Sequence, residues 1–246
     1  MKILSIGNSF SVDAHAYLYD LAKQRGFEMS LVDLAIGGCS LQTHWTNVEQ
    51  NNANYAYIID GGDWTDNRVS IEEIIKSAEF DAVTVQQVSH FSGKYETYQP
   101  YLDNLVAYVR ENQPNAKLYF HKTWAYELDS QHSEFYLYDK DQKKMYAALC
   151  EASSVACNAI DAIMIPAGDV IQAMRERIPE FDYANGGQSL CCDGFHMSHT
   201  YGRYAVALTW LATFTGECVS PMPFKDLDID LIAKICEIVN EIVFGR

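Results

Sequence analysis

Short apolar runs alternate with amphipathic stretches along most of the chain. Lys2 to Ile6 is an apolar run that predicts a strand, and after Gly7-Asn8-Ser9 helical spacing holds from about Val12 to Arg25, with Gly26 as a C-cap. Met29 to Ile36 predicts a second strand closed by Gly37-Gly38, and a polar loop runs on through Asn54. Tyr55 to Ile59 reads as a minor extra strand. Ser70 and Glu73 form a capping box that opens a helix over Ile71 to Ala78. The rhythm then repeats: strand at Ala82 to Gln87, helix at Pro100 to Glu111, strand at Lys117 to Thr123, helix at Lys140 to Cys157, strand at Ala162 to Ile165. A helix near Asp169 to Arg177 precedes an irregular stretch, Pro179 to His196, and a helix over Ser198 to Thr215. The last helix, Asp228 to Phe244, sets Leu231, Ile235, Ile238 and Ile242 on one stripe and reads as a lid on the flank of the sheet.

Strands that alternate with helices of ten or more residues call for parallel pairing through right-handed crossovers. The expected fold is therefore an α/β class, three-layer α/β/α sandwich around a mainly five-stranded parallel sheet, flavodoxin-like in plan. No repeat, linker or composition break divides residues 1–246, so one domain is expected.

Composition narrows the function. Of the 246 residues 48% are apolar, enough to offset the entropy of ordering and exclude a disordered chain. The net charge of −15 repels phosphate backbones and anionic lipid, and the densest basic spot, Lys140 to Lys144, is interrupted by Asp141. Neither nucleic acid nor a membrane is an expected partner. Seven cysteines, an odd count with no Cys-x-x-Cys, fit reduced thiols rather than a disulfide framework or a zinc site. The apolar stretch before Gly7 is too short for a signal or spanning segment, so the chain as it stands reads as cytoplasmic, or as secreted if a leader has been removed. Oligomeric state is not legible here.

Ligands of open parallel sheets sit beyond the carboxyl ends of the strands. Ser9 lies at such an end, ahead of a helix, where it serves either as a nucleophile or, with Ser11, as a plain helix cap. A serine hydroxyl needs an imidazole to take its proton, and the imidazole works best when a carboxylate fixes its tautomer. Asp193 and His196, three residues apart, supply that pair. His199 adds another grouping, in which Asp193, His196 and His199 ligate a metal. Gly37-Gly38 either ends a strand or lets backbone N–H groups approach a substrate oxygen. Gln86 and Gln87 end the third strand, where a side-chain amide is either a polar terminus or an oxyanion donor.

Taken together these blocks resemble the SGNH hydrolases, the GDSL esterase/lipase superfamily, over nearly the whole chain. Gly7-Asn8-Ser9-Phe10-Ser11 is similar to the first block, Gly38 within Ala35 to Ser40 to the second, and Asp193-Gly194-Phe195-His196 to the last. Asn8 stands where that family usually has Asp, and the third block is replaced by Asp81 to Ser89. That segment, with Gly202-Arg203 and Ala205 to Gly216, is similar to a branch of SGNH proteins in which glutamine replaces the third-block asparagine. The resemblance implies a serine esterase without metal or organic cofactor. Ser9 would attack, His196, oriented by Asp193, would take its proton, and the Ser9 and Gly38 N–H groups with a Gln86 amide would hold the oxyanion. Asn8, Gln87 and Trp124 are the expected substrate-binding residues. Trp45, Trp64 and Trp124 on loops and strand ends either form sugar-stacking walls or, as aromatics more often do, pack in the core, and the family includes many carbohydrate deacetylases. The expected substrate is a small acyl ester, an acetyl ester of an uncharged carbohydrate or similar small molecule. Two other readings stay open: a catalytically silent glycan-binding module, and the metal-dependent hydrolase.

Overall fold

The computed structural model describes residues 1–245. From Ile3 onward every residue of strand β1 (Lys2–Gly7) is buried, as a central strand covered on both faces requires. It pairs in parallel with β2 (Ser30–Ala35) on one side and, through Ile3 to Ile6, with Ala82–Val85 on the other. In chain order come helix α1 (Ser9–Gln24) between β1 and β2, then α2 (Leu41–Glu49), β3 (Tyr55–Ile59), β4 (Arg68–Val69) and α3 (Ile71–Ile75). They are followed by β5 (Ala82–Val85), α4 (Tyr101–Asn112), β6 (Lys117–His121), α5 (Gln142–Ala159), β7 (Ile163–Ile165), α6 (Ala167–Arg177), α7 (Tyr201–Thr215) and α8 (Ile229–Phe244).

The sheet has seven strands in the order β4-β3-β2-β1-β5-β6-β7, not five. Five are parallel, as the sequence pattern indicates, but β3 and β4 join antiparallel at one edge. The two-residue β4 is too short to leave a periodic signal.

Alternation along the strands divides the core. Ile3, Leu31, Ala82 and Tyr119 face α1, α6, α7 and α8, whereas Leu4, Val32, Val83 and Phe120 face α2, α3, α4 and the second half of α5. Helix α8 buries Ile232, Ile235, Cys236, Ile238 and Val239 against α6 and α7; Leu231 and Ile242 of the expected stripe are only partly covered. Among the described residues no helix is long and apolar enough to cross a membrane.

Two helices depart from expectation for one reason. Helix α1 begins at Ser9 rather than Val12, and α2 occupies part of the expected polar loop. Both turn polar side chains inward: Ser11, Asp13 and His15 on α1, His44 and Asn47 on α2 are all buried. An apolar period is blind to such a face. Beneath α1, Ser11 Oγ donates to Asp33 Oδ1 at 2.9 Å, His15 Nε2 lies 2.8 Å from Ser5 Oγ, and Thr84 Oγ1 donates to Ser5 Oγ at 2.8 Å. These bonds link a buried polar row that crosses β2, β1 and β5, in which His15 Nδ1 and Asp33 Oδ2 keep no protein partner.

Candidate active site

Asn8, not a serine, caps α1: its side-chain Oδ1 accepts the Phe10 N–H at 3.0 Å. Ser9 is thus the first helical residue, and its N–H belongs to the free, electropositive start of the helix. Asn8 Nδ2 donates to the Cys39 carbonyl at 3.1 Å, which ties the Gly37-Gly38 turn to the same helix start. Gly38 has φ +67°, a left-handed conformation that favours glycine. Among the described residues, neither the Ser9 nor the Gly38 N–H donates to a protein acceptor.

The segment that carries the imidazole arrives from the far end of the chain. A bridge between Cys191 and Met197, with the Cys192 N–H donating to the His196 carbonyl at 2.9 Å, folds Asp193 to His196 into a tight loop. Gly194, at φ +90°, lies so close to Ser130 that a Cβ would come within 2.8 Å of its Cα. Asp193 Oδ1 accepts the Phe195 and His196 N–H groups at 3.1 and 2.8 Å, and Oδ2 lies 2.7 Å from His196 Nδ1. Partial burial works against the charged carboxylate, but the bonds from the His196 ring and from these N–H groups outweigh it and hold Asp193 below its ordinary value. With Nδ1 donating to Asp193, Nε2 is free to accept, and it lies 2.8 Å from Ser9 Oγ. A hydroxyl, an imidazole and a carboxylate are therefore in line, and the two residues with unpaired N–H groups, Ser9 and Gly38, line one cleft.

A second contact fixes that line. Asp13, one turn after Ser9 on α1, accepts the Met197 N–H at 2.8 Å through Oδ2 and the Arg203 Nε–H at 2.9 Å through Oδ1. Burial pushes the Asp13 carboxyl up, and Arg203 and the Met197 N–H pull it back only in part. Sequence reasoning missed Asp13, although its i+4 spacing from Ser9 was a signal.

The space above Ser9 is a cleft of about 370 Å³ between Gly37-Gly38, the loop after β5 (Val88 to His90), His132 and Phe195. The structure brings Ser9, Gly38, Asp193 and His196 together with Asn8 at the edge of the cleft, and it sets Gln86, Gln87 and Trp124 outside the cleft lining. Gln86 is buried and does not line the cleft: its Nε2 donates to Asn8 Oδ1 at 2.8 Å and its Oε1 accepts from His121 Nδ1 at 2.8 Å. Gln87 likewise accepts the Leu41 and Val88 N–H groups and donates to Thr97. Asn8 borders the cleft, but its polar atoms are engaged internally. Trp124 is 0% exposed, stacked on Phe10 at 4.2 Å, and its Nε1 donates to the Phe195 carbonyl at 2.7 Å. It supports the cleft from beneath, and neither Trp45 nor Trp64 lines it. Asp193, His196 and His199 do not converge: no three His, Cys, Asp or Glu side chains among the described residues are grouped to hold a metal ion, and His199 is exposed.

Comparison with known proteins adds relatives. The model of the domain of unknown function DUF4886 matches residues 2–238. None of the curated proteins matches the chain in sequence. The crystal structure of a DUF4886 family protein from Bacteroides uniformis is similar at a TM-score of 0.89 and 34% identity, covering 100% of this chain and 95% of that one. A candidate SGNH hydrolase from Slackia heliotrinireducens superposes at a TM-score of 0.56 with 20% identity, over 87% of this chain and 98% of that one. The acetyl xylan esterase AlAXEase does so at 0.56 with 12% identity, over 86% and 99%. The last two likenesses concern the fold, which is that of SGNH hydrolases.

Proposed function

The chain belongs to the DUF4886 family, described as a domain of unknown function, and on that footing we propose that it is a serine ester hydrolase. The observation that carries the reading is the 2.8 Å approach of Ser9 Oγ to His196 Nε2, with Nδ1 of the same ring 2.7 Å from Asp193. In the proposed reaction His196 takes the Ser9 proton as Oγ attacks the ester carbonyl, then returns it to the departing alkoxide. Water, deprotonated by the same ring, releases the acid and restores Ser9. The Ser9 and Gly38 N–H groups would hold the oxyanion; Asp193 would orient His196 and stabilise the imidazolium.

A cleft of about 370 Å³ suits a short acyl group and a modest alcohol. We take the substrate to be an acetyl ester of a carbohydrate, a reading that the fold shared with an acetyl xylan esterase supports. The decisive experiment is a panel of acetylated sugars and p-nitrophenyl esters of rising acyl length, run on the wild type and Ser9→Ala, with fluorophosphonate labelling. Turnover and labelling should both vanish with Ser9→Ala and should resist chelators. The engaged Gln86 amide favours one competing reading, a glycan-binding cleft without turnover. Absence of turnover and labelling with retained glycan binding would establish it.

A further inference from the structure

The wall of the cleft that the sequence assigned to tryptophan is built of imidazoles. His90, directly after the Val88-Ser89 turn that follows β5, stacks on His132 with ring centroids 5.6 Å apart and planes at 30°. His90 also packs on Phe91 at 4.3 Å, and His132 stands edge-on to Phe195 at 4.8 Å. Both histidines are half-buried and line the same cleft as Ser9 and His196.

Their hydrogen bonding is unfinished. The Glu134 N–H donates to His132 Nδ1 at 3.1 Å, which places the proton of the neutral ring on Nε2. Among the described residues that N–H has no protein acceptor, and the His90 ring has no hydrogen-bond partner at all. Burial holds both rings below the ordinary histidine value, helped by His132 at His90 and by His196 at His132, and it outweighs the opposing pull of Glu134 on both. No lysine, arginine, aspartate or glutamate lines the cleft. The wall therefore offers uncharged donors and acceptors on a flat ring surface, a chemistry matched by the hydroxyls and C–H face of a polyol and by neither an anion nor a cation.

We propose that His90 and His132 form the subsite for the alcohol part of the substrate, and that they select an uncharged alcohol with free vicinal hydroxyls, such as a pyranose, over an apolar alcohol of the same size. The inference rests on the esterase reading for its kinetic test, but not for its binding test.

The kinetic test compares a monoacetylated methyl xyloside with cyclohexyl acetate, which shares the acyl group and ring size but lacks hydroxyls. His90→Phe and His132→Phe keep the ring packing and remove the nitrogens. Each is expected to cost about tenfold in kcat/KM on the sugar ester, the worth of one hydrogen bond, while cyclohexyl acetate changes by less than about threefold. Equal losses on both esters would assign the histidines to the acyl group or the nucleophile, and no loss on either would remove them from recognition; either result overturns the proposal. The binding test measures saturation-transfer NMR of free methyl xyloside on the wild type and both variants. Binding lost in the Phe variants supports the subsite even if no ester is turned over, whereas equal binding overturns it. Failure of the esterase reading appears separately, as absence of Ser9 labelling and of turnover in the wild type.

Discussion

Asp13 and Met197 are joined across 184 residues by a 2.8 Å hydrogen bond, Met197 N–H to Asp13 Oδ2, so the helix that begins with Ser9 holds the residue next to His196. The Ser9–His196 distance is thereby set by a buried carboxylate one turn below the hydroxyl. Asp13→Ala leaves the Met197 N–H and the half-buried Arg203 without their acceptor, a loss of about 1–3 kcal/mol in stability. Loosening the imidazole loop is expected to lower kcat by ~10- to 100-fold with KM little altered. Steady-state kinetics at a temperature where the variant stays folded checks this. A normal kcat would show that the contact is purely structural.

Gly38 lines the cleft and combines a left-handed backbone with an N–H that has no acceptor among the described residues. Nothing lies within 4 Å of where a Cβ would stand, so Gly38→Ala meets backbone strain and not a clash. Relaxation of that strain should turn the N–H away, and loss of one oxyanion donor costs ~10²–10³ in kcat. The expected signature is a fall in kcat with KM and fluorophosphonate binding geometry largely preserved.

Gln86 offers the opposite signature. Its removal in Gln86→Ala leaves the His121 Nδ1 without its partner and Asn8 Oδ1 with only the Phe10 N–H. Each buried group left unsatisfied costs about 1–3 kcal/mol, so a lower melting temperature is expected with kcat/KM within ~10-fold of wild type. A loss of ~10³ in kcat on a fully folded variant would restore Gln86 to the oxyanion hole.

Stability should peak near neutral pH. Burial holds His15, His44 and His121 down to about 3 from 6.5, and pushes Asp33 up to about 8 from 3.8 against the opposing Ser11 hydrogen bond. A histidine neutral in the fold but charged when unfolded removes stability as pH falls below 6.5. A carboxyl protonated in the fold but ionised when unfolded removes stability as pH rises from 3.8 to 8. Below 6.5 the three imidazoles outweigh Asp33 and Asp13, whose carboxyl is also raised by burial; above it, Asp33 decides. Melting temperatures from pH 5 to 8 should therefore pass through a maximum, and Asp33→Asn should flatten the limb above 6.5. An unchanged alkaline limb in that variant would contradict the assignment.

What the sequence by itself determined is local and periodic. The apolar runs and their spacing fixed five parallel strands and most of the helices, and the short Asp193-x-x-His196 spacing fixed a carboxylate against its own imidazole, because i and i+3 side chains meet in any tight turn. Ser9 at the end of β1 and Gly38 after β2 were legible because the topology of a parallel sheet sends both to one rim. Only the tertiary structure decided what depends on which buried polar atoms find each other. It turned the Gln86 amide toward Asn8, put Trp124 under Phe10, aimed the polar sides of α1 and α2 inward, and left the His90 and His132 rings facing the cleft. A side chain's partner is chosen by distance and desolvation in three dimensions, and residues 78 or 187 positions apart carry no trace of that choice in their spacing.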